Sequence, residues 1–113
     1  MKYFLVKFSH TDIVGWKKYI NDHVRYLDTL IKDNKLITSG PLENSKNGEK
    51  EAILIFYVRD RLELMKLIED DPYWYKGLVS SYHIRERNPI FGSFQKPNHK
   101  LIVKFINFFK NKQ

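Results

Sequence analysis

Apolar residues along the N-terminal part of the chain follow first a strand pattern and then a helix pattern. Aromatic and β-branched residues dominate Tyr3–Phe8, which predicts a strand. From Thr11 to Asp33 the apolar residues recur at helical spacing and predict an amphipathic helix, with Asn34 as its stop. His23 falls within the apolar stripe of that helix. A histidine in such a stripe needs either a hydrogen-bond partner or a neutral ring.

The middle of the chain predicts two strands around a polar loop. Lys35–Ser39 is strand-like and is closed by Gly40-Pro41, while Glu51–Arg59 forms the next strand. The loop between them carries an Asn-Gly turn signal at Asn47-Gly48.

A second helix and a fourth strand follow. Asp60 and Glu63 have the spacing of a capping box, and Leu62, Met65 and Ile68 are expected on the inner face of the helix that it opens. Asp71-Pro72 interrupts this helix, one further turn covers Tyr73–Lys76, and Leu78–Arg87 is the last predicted strand.

The predicted order is β-α-β-β-α-β, which is typical of an α+β, ferredoxin-like fold with a four-stranded antiparallel sheet and both helices on one face. The first and third strands are apolar on both faces. Helices cover only one of these faces, so the other is expected to pair with a second chain, sheet on sheet, in a dimeric α+β barrel. The alternative is that the C-terminal segment of the same chain covers it.

The sequence divides into a domain over residues 1–92 and an extension over residues 93–113. The extension predicts a basic amphipathic helix. Its apolar arc consists of Leu101, Ile102, Phe105, Ile106, Phe108 and Phe109, with Lys100, Lys104 and Asn107 opposite. We expect this helix to dock on its own dimer, and the alternative is contact with an anionic membrane surface.

Charge and composition exclude several classes of function. The net charge is +7, but the last acidic residue is Glu86 and six Lys or Arg follow it, so the domain itself is nearly neutral and no nucleic-acid partner is expected. The chain has no cysteine, which excludes disulfides, a thiolate nucleophile and zinc–thiolate sites. We expect neither a metal nor a cofactor. The short apolar N-terminal run is not a signal peptide or a membrane span, so the cytoplasm is the predicted location.

His23 and Asp71 are the candidates for chemistry, and each has a plain structural alternative. His23 is either a satisfied core residue or a general acid or base, and Asp71 before Pro72 is either a helix cap or a partner for the imidazole. A carboxylate beside an imidazole holds one tautomer and stabilises the protonated ring.

Further candidates are substrate contacts. Gly40 and Pro41 form either a turn or a place where backbone N–H groups approach a ligand closely. Tyr73 and Tyr82 offer apolar walls, while His83 and Arg85 share one face of the last strand and either line a cavity or face water. His10 and His99 carry no comparable signal.

Two segments together resemble the YciI-like (YCII-related) proteins. The first is HVRYLDTLIKDNKLITSGP, from His23 to Pro41, and the second is Asp71-Pro72-Tyr73 followed by Gly77-Leu78 and SYHIRERNPIF. The similarity covers about residues 1–92. It implies a ferredoxin-like fold that forms dimeric α+β barrels, and a His–Asp pair in a cleft, here His23 and Asp71, as the candidate active site. It also implies relatives such as a dehydrochlorinase of chlorinated hydroxyquinols and, more distantly, muconolactone isomerases.

These observations lead to two functional hypotheses. The first is a cofactor-independent enzyme of lyase or isomerase type, in which His23 moves a proton and Asp71 orients the imidazole, acting on a small anionic or aromatic molecule. The second is a non-catalytic module that binds a small ligand or a partner through the same residues.

Overall fold

The computed structural model describes residues 1–43 and 48–87, which form one antiparallel sheet with helices on one side. The elements in chain order are β1 (Lys2–His10), α1 (Ile13–Lys18), α2 (Ile20–Lys32), β2 (Leu36–Leu42), β3 (Lys50–Val58), α3 (Arg61–Glu69), α4 (Pro72–Tyr75) and β4 (Ser81–Arg87). The four strands lie in the order β2-β3-β1-β4. The α+β class and the four-stranded antiparallel sheet predicted from the sequence are confirmed.

The sheet has one buried face and one face that the helices leave uncovered. In the central strands every second residue is buried, including Phe4 and Val6 in β1 and Leu54 and Phe56 in β3. Because side chains alternate across a strand, Leu5 and its partner Ile55 lie together on the opposite face, where both are only half-buried. The described residues thus leave an apolar strip along the open side of β1 and β3.

The helices begin and end largely as the sequence predicted, but the prediction needs two corrections, one to the length of the first helix and one to the buried face of α3. The Asp60 carboxylate accepts a hydrogen bond from the Glu63 backbone N–H at 2.9 Å, and Asn34 adopts a left-handed φ of 59° after α2. The single helix predicted over residues 11–33 is instead two helices, α1 and α2, separated at Tyr19 (φ −105°, ψ 10°). In α3 Ile68 is buried and Met65 packs, partly buried, against the core as predicted, but Leu64 is buried instead of Leu62, which is 68% exposed.

Gly40 and Pro41 do not close β2, as the sequence suggested, but lie within it. Gly40 pairs with Ile53 and Pro41 with Ala52 in the ladder to β3. Proline is tolerated there because β2 is an edge strand of the described sheet and Pro41 needs no N–H on its outer side.

Two hydrophobic clusters fill the space between sheet and helices. The larger, here called the sheet cluster, joins the inward residues of the strands to α2 and α3. The smaller, here called the end cluster, consists of Trp16, Ile20, Val24, Tyr73 and Leu78. A side chain at Gly15 would meet the Leu78 side chain, since an added Cβ would lie 2.5 Å from Leu78 Cδ2. Glycine at this position therefore allows Leu78 to pack against α1.

Several predictions fall outside the described residues. These are the Asn47-Gly48 turn in part, the domain boundary after residue 92 and the amphipathic helix of residues 93–113. Within the described part of the chain, no helix is long and apolar enough to cross a bilayer. Cytoplasmic location remains a prediction.

Candidate functional site

His23 and Asp71 are brought together at the end cluster by the packing of α4 against α2. The His23 Nδ1–H donates to Asp71 Oδ1 over 2.8 Å, although the residues are 48 apart in sequence. His23 lies in the second turn of α2, on the same side as the buried Ile20, Val24 and Leu27. Asp71 precedes Pro72, which starts α4. The two alternatives for Asp71 are therefore both realised, because the same carboxylate caps α4 and engages the imidazole.

A single oxygen of Asp71 performs both of these tasks. Oδ1 accepts from the Tyr73 backbone N–H at 2.9 Å as well as from His23. Since the backbone of α4 fixes that oxygen, the imidazole is held by a group that cannot rotate without breaking the cap. The arrangement orients the ring with Nδ1 protonated and leaves Nε2 for proton exchange.

Tyr73 forms one wall of the site. Its ring stacks on the His23 imidazole with centroids 4.0 Å apart and an interplanar angle of 12°. Its hydroxyl donates to the Trp16 carbonyl over 2.7 Å. Burial, and secondarily the nearby charge of Asp71, raises the pKa of the Tyr73 hydroxyl far above its ordinary value. Tyr73 is thus a neutral donor and a packing surface at physiological pH.

The pair is nearly enclosed in the single chain. The His23 side chain is 7% exposed and the Asp71 side chain 3%. Among the residues that the structure describes, no sealed side-chain nitrogen or oxygen lacks a hydrogen-bond partner, and Nδ1 is the His23 nitrogen that is bonded. It follows that Nε2 lies on the small part of the ring that solvent reaches.

His10 is the functional candidate that the sequence did not reveal. It ends β1, is 2% exposed, and its ring centroid lies 4.9 Å from that of Tyr73. Its Nδ1 lies 2.7 Å from the Leu78 carbonyl oxygen. Burial lowers the pKa of His10 to about 4 from an ordinary 6.5; the Leu78 hydrogen bond and Asp71 oppose this shift, and the charge of His23 adds to it.

Lysines surround the outer edge of the end cluster. The Lys18 and Lys76 ammonium groups lie 5.4 and 5.2 Å from the centroid of the Tyr19 ring, and Tyr19 packs on the cluster. Lys50 lies 5.4 Å from the Trp16 ring centroid. Such positions are typical of cation–π contacts and place positive charge at the rim of the end cluster.

The other predicted contacts lie elsewhere on the sheet. Tyr82 faces the helix side of β4 and packs edge-on against Trp74, with centroids 5.0 Å apart. His83 and Arg85 point to the open face, opposite Lys7 and Leu5 of β1. Gly40 and Pro41 lie in the edge strand. A substrate-binding role for all of these residues stays a prediction.

The described residues contain no cluster of three His, Cys, Asp or Glu side chains arranged to hold a metal ion. What they arrange is an imidazole with an orienting carboxylate, set among aromatic rings and bordered by lysines. Chemically this arrangement can take up or deliver a proton at His23 Nε2 while Asp71 balances the charge.

Comparison with solved structures supports the fold. The chain is similar to 5-chloro-2-hydroxyhydroquinone dehydrochlorinase (TftG) from Burkholderia phenoliruptrix, solved in complex with 2,5-dihydroxybenzoquinone. The two are 20% identical, with a TM-score of 0.63, over 74% of this chain and 90% of that one. Weaker similarity links it to At3g17210 from Arabidopsis thaliana, at 14% identity over 83% of this chain and 100% of that one, with a TM-score of 0.47. No curated protein sequence matches.

The family of this chain is established by a match of its sequence to a family profile. The profile of the YCII-related domain matches residues 1–88, which include the whole of the described sheet and its helices. The resemblance noted from the His23–Pro41 and Asp71–Leu78 segments is thereby confirmed. This chain belongs to the YCII-related family.

Proposed function

We propose that the chain is a cofactor-independent enzyme that transfers a proton to or from a small hydroxylated ring compound, in a lyase or isomerase reaction. The observation that carries this proposal is the 2.8 Å hydrogen bond between His23 Nδ1 and Asp71 Oδ1. His23 Nε2 is the acid or base, and Asp71 orients the ring and stabilises the imidazolium that forms.

The ligand class rests on the surroundings of the pair. The Tyr73 ring is fully buried against the His23 imidazole, so it supports that ring from the inside and leaves the imidazole edge as the group that a ligand would meet. Lys18 and Lys76 at the rim of the end cluster favour a ligand with negative charge. A small ring compound with an acidic hydroxyl group, such as a hydroxyquinone, meets this requirement. The similar dehydrochlorinase is named for 5-chloro-2-hydroxyhydroquinone and was solved with 2,5-dihydroxybenzoquinone, so these two compounds are the first probes to use.

The direct test is chloride release from 5-chloro-2-hydroxyhydroquinone under anaerobic conditions, with proton exchange at ring carbons followed in D2O by NMR. His23→Asn keeps an N–H where Nδ1 lies and removes Nε2, so the rate of either reaction should fall about 100- to 10,000-fold. Asp71→Asn keeps Oδ1, and with it the cap and the hydrogen bond to His23, but removes the charge. A smaller loss is expected from this variant.

Asp60 provides the matched control for Asp71→Asn, because Asp60 Oδ1 caps α3 as Asp71 Oδ1 caps α4, and Asp60→Asn likewise keeps the oxygen and removes the charge. It should leave proton exchange unchanged. Equal rates in the native chain, His23→Asn and Asp60→Asn would refute catalysis at this site.

A non-catalytic ligand-binding module is the second candidate. The slight exposure of the His23 and Asp71 side chains favours it, since a buried pair of this kind also serves to specify the packing of α4 on α2. Saturable binding of 2,5-dihydroxybenzoquinone to the native chain without any proton exchange or chloride release would favour the module.

We further propose that two chains pair through the open sheet faces. Support comes from the half-buried Leu5 and Ile55 on that face, an apolar surface that no described helix covers. Sedimentation should give twice the mass of one chain, and Ile55→Lys should give the monomer mass. Val14→Lys, at an apolar position that is 81% exposed on α1, is the control and should stay dimeric.

The remaining candidate cover for this face is the segment of residues 93–113. A chain ending after Gly92 should keep the dimer if the sheets form the interface. Conversion to monomer by this truncation would assign the interface to the C-terminal segment instead.

A further inference from the structure

We propose that His10 is a second ligand-binding residue of this site, whose Nε2 accepts a hydrogen bond from a hydroxyl group of the compound on which His23 and Asp71 act. This inference rests on the proposed function and names its ligand more closely. It assigns a specificity role to a histidine at the end of β1 that lies outside the His23–Asp71 pair.

The hydrogen bond to Leu78 determines the protonation state of the His10 ring. A backbone carbonyl only accepts, so the Nδ1 that lies 2.7 Å from the Leu78 oxygen carries the hydrogen. The low pKa of about 4 means that the buried ring is neutral at physiological pH. Nε2 therefore carries a lone pair and can only accept.

The His10 Nε2 is available to a ligand. Nδ1 is the His10 nitrogen that is hydrogen-bonded, and no enclosed side-chain nitrogen or oxygen in the described part of the chain lacks a partner. Nε2 must therefore contribute to the 2% of His10 that remains accessible. Water can donate to this acceptor in the free chain, and a ligand hydroxyl can take the place of that water.

His10 and His23 are also close to each other. Their ring centroids lie 4.9 and 4.0 Å from the same Tyr73 centroid, so they are separated by at most the sum of these distances, about 9 Å. Their charges interact, since a proton on His23 disfavours one on His10. In each ring Nε2 is the nitrogen that solvent reaches, and the buried Tyr73 ring packs against both.

Two neighbouring acceptors favour a ring compound with two donors. When Asp71 holds the neutral His23 with Nδ1 protonated, Nε2 of His23 is an acceptor as well. A compound with two hydroxyl groups satisfies both rings, whereas a compound with one hydroxyl leaves one of them unpaired. We infer dihydroxylated or trihydroxylated aromatic compounds as the preferred ligands.

The test compares two probes on the native chain and on His10→Asn. 1,2,4-Trihydroxybenzene, kept anaerobic, offers hydroxyl pairs at ortho, meta and para spacing, and phenol offers a single hydroxyl. Asparagine places an N–H near the Nδ1 position, which keeps the Leu78 hydrogen bond, but has nothing at Nε2. Kd for trihydroxybenzene should rise about tenfold in His10→Asn, while Kd for phenol should rise much less, because its single hydroxyl can pair with His23 instead.

A second measurement needs no variant. The 15N resonance of His10 Nε2 in the native chain should move when trihydroxybenzene binds and should move less with phenol, whose single hydroxyl is shared between two acceptors. Equal weakening of both probes by His10→Asn, or an unmoved Nε2 resonance at saturation, would overturn the inference.

The result also separates this inference from the proposed enzyme. Tight, His10-dependent binding of trihydroxybenzene without chloride release or proton exchange would support His10 while refuting catalysis. Failure of trihydroxybenzene to bind the native chain would overturn the assignment of His10.

Discussion

The sheet cluster and the end cluster are buried to a similar degree but differ in what they contain. In the sheet cluster the fully buried members are hydrocarbon side chains such as Phe4, Leu54 and Leu64. In the end cluster comparable apolar residues surround His10, His23 and Asp71, each at most 5% exposed. The sheet cluster needs only close packing of apolar side chains, whereas at the end cluster the buried polar groups also need hydrogen-bond partners in the right directions.

This difference separates stability from function within one small domain. Apolar burial stabilises the fold roughly in proportion to area and needs no special geometry. A buried His–Asp pair gives little net stability compared with apolar residues of the same size, because its desolvation offsets its attraction. The polar groups beside the end cluster are therefore weak evidence for added stability, and this is the reason to look for chemistry there.

The largest effect expected is on the sheet cluster, and α3 offers an internal comparison. Leu64→Ala should lower the free energy of unfolding by about 2–5 kcal/mol, because it leaves a cavity among fully buried neighbours. Leu62→Ala removes the same atoms two residues away on the exposed side and should change it by less than about 0.5 kcal/mol. Urea unfolding of both variants makes the measurement, and similar losses would contradict the orientation of α3.

Leu62 and Leu64 also show which features of the fold could not be predicted from the sequence. Capping at Asp60 and the helix start at Asp71-Pro72 depend on contacts within a few residues, so local patterns predicted them correctly. The face that α3 turns inward depends on what packs against it. The spacing placed Met65 and Ile68 correctly against the core, but it placed Leu62 there instead of Leu64.

The site, in contrast, is formed by residues that are far apart in the sequence. His23 and Asp71 are 48 residues apart. The residues alone allowed purely structural roles for both, a core histidine for His23 and a helix cap for Asp71. The prediction that His23 and Asp71 form a pair came from the family resemblance and not from the hydrophobic pattern. His10 was missed because its partner is a backbone carbonyl 68 residues away, which has no sequence signature.

A pH dependence sharpens the contrast between the clusters, because among the described residues the buried histidines His10 and His23 lie beside the end cluster. The His10 pKa is about 4 in the folded chain and 6.5 in the unfolded chain, so between these values the unfolded state binds more protons. The corresponding stability is complete above pH 6.5 and is lost as the pH falls toward 4. It amounts to roughly 3 kcal/mol in all, with about 2 kcal/mol lost between pH 7 and pH 5.

His10→Asn isolates this contribution, since asparagine does not titrate and the carboxylates are common to both chains. The free energy of unfolding, measured against pH by urea, should fall more steeply below pH 6.5 in the native chain than in the variant. Parallel curves would mean that His10 is protonated as readily in the fold as outside it, and that the ring is not enclosed as described.

The smallest effect compares one tyrosine hydroxyl in each region. Tyr73 donates to the Trp16 carbonyl over 2.7 Å in the end cluster, and Tyr26 donates to the Leu67 carbonyl over 2.6 Å beside the sheet cluster. Tyr73 is fully buried and Tyr26 only half-buried. Because water can replace the lost partner only at the more exposed position, Tyr73→Phe should cost about 1–2 kcal/mol and Tyr26→Phe about 0.5 kcal/mol. Reversal of that order in urea unfolding would mean that water reaches the Trp16 carbonyl, and that the end cluster is more open than its burial indicates.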